Sequence, residues 1–132
     1  MTISISRFLR LVLLADAVAS GATGLLLLGG AGFFESLLGL PVALMREAGL
    51  VLIPYVAFVG WLATRPSTSV WSIDAVIVCN ALWALASVVL LLSGFVSPTL
   101  LGHAFVIAQA AAVALFGVLQ YAALRFSGTA IA

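Results

Sequence analysis

Residues 72–92 read SIDAVIVCNALWALASVVLLL, a run in which only Asp74 is charged. Wound as a helix at 1.5 Å per residue it covers about 30 Å, the thickness of a bilayer's hydrocarbon core. Working outward, the same reading applies to residues 8–30, 44–64 and 102–124. The apolar part of the second run, residues 49–64, is slightly short. Pro41, a favourable first-turn residue, extends it outward through Arg46 and Glu47. A bilayer offers no water to the backbone, so each run is helical, and the runs are too long and too few for a barrel. The expected fold is an all-α membrane protein. It is one domain, residues 1–132, with four transmembrane helices in an up-down-up-down bundle.

Composition supports the same solvent. The 132 residues are 65% hydrophobic and 7% charged, against about 25% charged in a typical soluble domain. A chain this small has no interior large enough to hide that much apolar surface. The five cations are Arg7, Arg10, Arg46, Arg65 and Arg125, and net charge is +1. No basic patch for nucleic acid arises. Lysine is absent, which excludes a Schiff-base cofactor. Cys79 and His103 are the sole cysteine and histidine, which excludes an intrachain disulfide, a multi-cysteine metal site and a bis-histidine haem. No catalytic constellation, metal or cofactor is expected.

Three connections join the runs. The first, around residues 31–40, carries Phe33, Phe34, Glu35, Leu37 and Leu38 and suits a short amphipathic turn at the interface. The second, residues 65–69, reads as a tight polar turn, and the third spans residues 93–99. Arg7, Arg10, Arg65 and Arg125 fall on one side and Arg46 alone on the other. The positive-inside rule then puts both termini in the cytoplasm, with Trp61, Trp71 and Tyr121 forming an aromatic belt at that face. A competing reading makes the start a cleaved signal peptide with Ala17, Val18 and Ala19 at the cut. Against it, Asp16 interrupts the apolar run, and Leu25 to Leu28 continue the run past the cut.

Residues 16–30 align with residues 80–94 at a shift of 64. Ala17, Ala22, Leu26, Leu27, Leu28 and Gly30 find identical partners, and Asp16 meets Asn80. Trp61 to Arg65 matches Tyr121 to Arg125 at a shift of 60. If the repeat is ancestral, each unit is a two-helix hairpin, and the two are related by an axis along the membrane normal.

Few polar residues lie inside the spans. Asp16 sits about 12 Å beyond the start of the first run, where a carboxylate costs about 2.5–3.5 kcal/mol and faces the bundle interior. Ser20 and Thr23 continue a polar stripe at helical spacing. Asn80 and Tyr55 fall at similar depth, so the three can meet near the midplane, depending on helix rotation. Two readings of Asp16 compete: a proton- or cation-responsive site, and a staple between the first and third helices. Trp83 lies deep and needs an acceptor for its indole N–H, with Asp16 a candidate. Gln109 and Gln120 read as interhelical donors, with Gln109 a candidate cavity residue. Ala17, Gly21 and Gly24 form a small-residue packing face. Pro54 and Gly60 suggest a kink in the second helix. Asp74 complements the dipole in the first turn of the third helix. Arg46 and Glu47 form an outer-rim pair that is either solvated or grips a partner. Cys79 is expected to be a buried, inert small hydrophobe.

These residues give the chain a resemblance to a group of small bacterial four-span integral membrane proteins without an assigned activity. It is carried by Leu38, Gly39, Leu40 and Pro41 with Leu44, Arg46 and Gly49, by Asn80 to Trp83, and by Ser97 to Thr99, Gln109, Ala110, Leu119 and Gln120. The resemblance implies four helices and an inner-membrane location, and no substrate.

Three functions are then in play. A membrane subunit or scaffold, with the lipid bilayer and a membrane-protein partner or second copy around it, fits the absence of catalytic groups. A small proton-coupled homodimeric transporter fits one deep carboxylate, as in small multidrug exporters, although four arginines against one argue for a single orientation. An enzyme acting on a lipid or quinone would need two or more convergent acid–base or metal-binding groups, and is the least supported.

Overall fold

The computed structural model describes residues 1–131, with side chains over residues 1–126. Its elements in chain order are β1 (Thr2–Ser4), α1 (Arg7–Leu38), α2 (Val42–Ala63), β2 (Ser67–Ser69), α3 (Val70–Ser93) and α4 (Leu100–Ile131). All four helices are long and apolar enough to cross a bilayer. Large apolar side chains such as Leu25, Leu82, Leu92 and Val118 point outward, while Asp16, Asn80 and Gln120 lie inside. That inversion is what a lipid solvent selects. The chain is a multi-pass membrane protein built as a helical bundle.

The helices are not packed in a closed ring. α1 lies along α2, α3 along α4, and α1 against α4, whereas α2 and α3 scarcely approach each other. The row α2–α1–α4–α3 therefore curls around but stays open on one side. The repeat seen in the sequence would set α3 against α2 as α1 sits against α4, yet there the bundle gapes. Two hydrophobic clusters fill the closed part. Leu9, Leu13, Val59, Leu62 and Ile73 pack at the arginine-rich end, and Leu27, Met45, Leu52 and Val106 toward the other.

The α1–α2 crossing is set by glycine. A Cβ on Gly49 would sit 2.8 Å from Leu28 Cγ and 3.0 Å from the Gly24 carbonyl oxygen. A Cβ on Gly24 would meet Leu52 Cβ at 3.3 Å. The small face expected on α1 does pack, and its counterpart on α2 is Gly49. Gly49→Val is expected to destabilise the bundle by about 1–3 kcal/mol through overpacking. The check is the midpoint of denaturation in mild detergent, and an unshifted midpoint would rule out close packing here.

Two connections and the place of Asp74 differ from the sequence reading. The interfacial turn expected near residues 31–40 is instead the last turns of α1, which runs 32 residues and so about 48 Å. Nothing in Phe33, Phe34 or Glu35 stops a helix. Gly39 does, at φ 70°, donating its N–H to the Glu35 carbonyl, before Pro41 forces extended backbone. Within the polar turn at 65–69, Ser67–Ser69 form a strand: β2 pairs antiparallel with β1, matching Thr2 with Ser69 and Ser4 with Ser67. Alternation at residues 2–5 explains it, since Ile3 and Ile5 turn inward and are buried while their neighbours face out. Asp74 lies in the second turn of α3 rather than its first, because Ser69 is the N-cap and Val70 opens the helix.

This end is further stapled by Arg10, whose guanidinium donates to the carbonyls of Ala63 and Arg65 where α2 ends. Orphan carbonyls at a helix C-terminus are served here by a cation from another helix. Arg10→Gln is expected to cost about 1–2 kcal/mol and to speed amide exchange over residues 62–70. Exchange confined to other segments would contradict that role.

A four-helix polar centre beside an open cleft

Asp16 is entirely buried, and each of the four helices sends it a donor or carries it. From its own helix, one turn on, the Ser20 hydroxyl donates to Oδ1 at 3.0 Å. From α2 the Tyr55 hydroxyl donates to Oδ2 at 2.6 Å. From α3 the Asn80 amide donates to Oδ2 at 3.0 Å. From α4 the Gln120 amide donates to the same oxygen at 2.7 Å. The two amides are tied together as well, Asn80 Nδ2 donating to Gln120 Oε1 at 2.8 Å. The anticipated meeting of Asp16, Ser20, Tyr55 and Asn80 is therefore present. Gln120, expected only as a generic interhelical donor, completes it. A signal for Gln120 did exist: it lies eleven residues after Gln109, just over three full turns, so both glutamines share one face of α4.

The helix segments that hold these groups are apolar on either side, which is why the polar atoms have only one another. Every buried side-chain nitrogen and oxygen among the described residues has a partner within hydrogen-bond distance. Proton counting is stricter. The Tyr55 oxygen also lies 3.0 Å from Asn80 Oδ1, but a phenol has one proton for two acceptors. Turning the Asn80 amide over would not help, for its oxygen would then face Asp16 and Gln120 Oε1. The shorter contact takes the larger share of that proton, and Asn80 Oδ1 keeps the longer one.

Trp83, Gln109 and Thr23 stand outside this centre. The Trp83 indole donates to Gln109 Oε1 at 2.7 Å, not to Asp16. Gln109 in turn donates to Ser87 Oγ and to the Val106 carbonyl. This second cluster joins α3 to α4 one level away. Thr23 donates back to the Ala19 carbonyl in its own helix. The reason is length: a threonine hydroxyl on that face of α1 reaches its own backbone before any neighbour.

No known family, curated protein or solved structure matches this chain. The site is consequently read from its own geometry.

Beside the centre the gap between α2 and α3 forms a cavity of about 610 Å³ whose walls include Ser20, Tyr55, Asn80 and Cys79. A second of about 360 Å³ continues it along Val51, Trp83 and Ala86 toward Leu44, Glu47 and Leu90. Cys79, expected to be buried, is exposed on this cleft because no helix covers its side of α3. Arg46 and Glu47 are both exposed at the far rim, and no ion pair joins them. At the opposite end Arg65 lies over the Trp61 ring at 5.4 Å, and Arg125 over Tyr121 at 5.8 Å.

Proposed function

We propose that this chain is a non-catalytic subunit or scaffold of the bacterial inner membrane, with both termini cytoplasmic. The observation that carries the reading is the internal commitment of Asp16. Its carboxylate is engaged by Ser20, Tyr55, Asn80 and Gln120, so the polar centre serves to hold four helices in one arrangement. No cluster of three or more His, Cys, Asp or Glu residues gathers around it among the described residues. The working surface is then the outer apolar one, toward lipid, a partner membrane protein or a second copy. The arginine count supports the orientation, as do the rings beneath Arg65 and Arg125. Purification in a gentle detergent, followed by mass spectrometry, is expected to recover a second membrane protein in fixed ratio. Recovery of the chain alone, active in reconstituted vesicles, would refute the scaffold. Tags at either end are expected to be reachable from the cytoplasm.

A specific observation keeps proton-coupled transport as the second reading. The single Tyr55 proton stands between Asp16 Oδ2 and Asn80 Oδ1. A proton added to Asp16 would donate to Tyr55 and free the phenol to donate to Asn80, completing the set. That reading requires proton-driven flux that disappears in Asp16→Asn.

A further inference from the structure

We infer that the cleft between α2 and α3 binds a neutral lipid whose hydroxyl group lodges against Asn80 and Tyr55 at mid-depth, with its hydrocarbon chain lying along Val51, Trp83 and Ala86. Three features converge on that occupant. The first is size. On α3 the two cavities extend from Ala75 to Leu90, about 22 Å of helix. The cleft is open along one side, and its two cavities hold about 610 and 360 Å³. A hydrocarbon chain about half as wide as a helix needs roughly 450 Å³ over that length, which they accommodate.

The second feature is charge. Neither cavity has an arginine on its walls, and the one charged wall residue is Glu47 at the far rim. An anionic phosphate head would find no cation there, so the ligand is uncharged. The third is the count of protons. Asn80 Oδ1 has only the Tyr55 proton that Asp16 also holds, and Asn80 lines the larger cavity beside Tyr55. Such an acceptor wants a further donor in a medium without water. A hydroxyl in mid-bilayer has the converse need, because an unpaired polar group in hydrocarbon is costly.

The test uses the full chain in phosphatidylethanolamine–phosphatidylglycerol nanodiscs. The probes are palmityl alcohol bearing a photoreactive diazirine near its hydroxyl, and the methyl ether of the same molecule. The alcohol is expected to label peptides containing residues 51–58 and 75–83 about tenfold more than the ether, the discrimination given by one lost hydrogen bond. Ala86→Trp, which fills the join between the cavities without touching the polar centre, is expected to abolish the labelling while leaving the helix content unchanged. Should that variant fail to assemble, Val51→Trp fills the same join from α2 and carries the same expectation. Equal labelling by alcohol and ether would overturn the proposal, as would labelling that survives the plug. Cys79–Cys79 cross-linking that rises with protein density and excludes the probe would overturn it too, by giving the cleft to a second copy.

Discussion

Asp16→Leu is expected to lower the stability of the bundle by about 2–5 kcal/mol. Ser20, Tyr55, Asn80 and Gln120 all direct protons at this one carboxylate, and three of those bonds run between helices. Interhelical hydrogen bonds in membranes average about 0.6 kcal/mol and reach about 1.7. The larger figure applies here because the removed partner leaves several buried donors facing hydrocarbon at once. Asn80 still donates to Gln120 and Tyr55 to Asn80, but the Ser20 hydroxyl and the Gln120 amide lose their acceptor. Asp16→Asn keeps the size and is expected to lose about half as much, since its new amide group confronts the Asn80 and Gln120 donors. The measurement is the midpoint of unfolding in mixed detergent micelles, followed by far-ultraviolet circular dichroism. A companion variant separates the two origins of the loss. Adding Tyr55→Phe, Asn80→Leu and Gln120→Leu to Asp16→Leu removes the stranded donors and is expected to recover much of the stability. If Asp16→Leu melts like the unaltered protein, the carboxylate is not the fastener of this bundle.

The second large effect is expected at Gly102. A Cβ there would lie 1.9 Å from the Leu38 carbonyl oxygen and 2.9 Å from its carbon. Those atoms are backbone, so no rotamer change relieves the overlap. The same Leu38 oxygen accepts the Thr99 N–H, and the Thr99 hydroxyl donates to the Leu37 carbonyl while accepting from the Gly102 N–H. The end of α1 and the start of α4 are thus sewn together at one point, and Gly102→Ala forces them apart. A loss of about 3 kcal/mol is expected, at the upper end of overpacking effects. Gly32→Ala serves as the control. No atom outside its own helix lies within 4 Å of its Cβ position, so alanine is expected to be neutral or to stabilise by up to about 1 kcal/mol. Equal behaviour of the two variants would refute the close contact at Gly102.

Much of this architecture is legible before any coordinates. Run length and apolarity suffice for four helices, because lipid leaves the backbone no alternative. The meeting of Asp16, Tyr55 and Asn80 is legible in part: depth along a helix follows from residue count, whereas rotation about the axis does not. Gln120 escaped for a related reason. It lies close to Arg125 in sequence, which reads as shallow, yet a glutamine side chain on an inward face reaches the centre. The continuation of α1 to Leu38 and the β1–β2 pairing depend on where polar segments find partners outside the hydrocarbon, a matter of three-dimensional proximity. The open side between α2 and α3 has no signature in either helix alone. Cys79 looks buried in a one-dimensional reading and is exposed only because a neighbour is missing.

The Asp16 centre also imposes an order of events on synthesis. Tyr55 follows Asp16 by 39 residues, Asn80 by 64 and Gln120 by 104. At about 5–20 residues per second, the carboxylate waits about 5–20 s for its last amide. Until Asn80 arrives, α1 and α2 reside in lipid as an unfinished pair, with Ser20 and Tyr55 as the companions of the acid. Nascent chains released before residue 120 would carry that shortfall permanently.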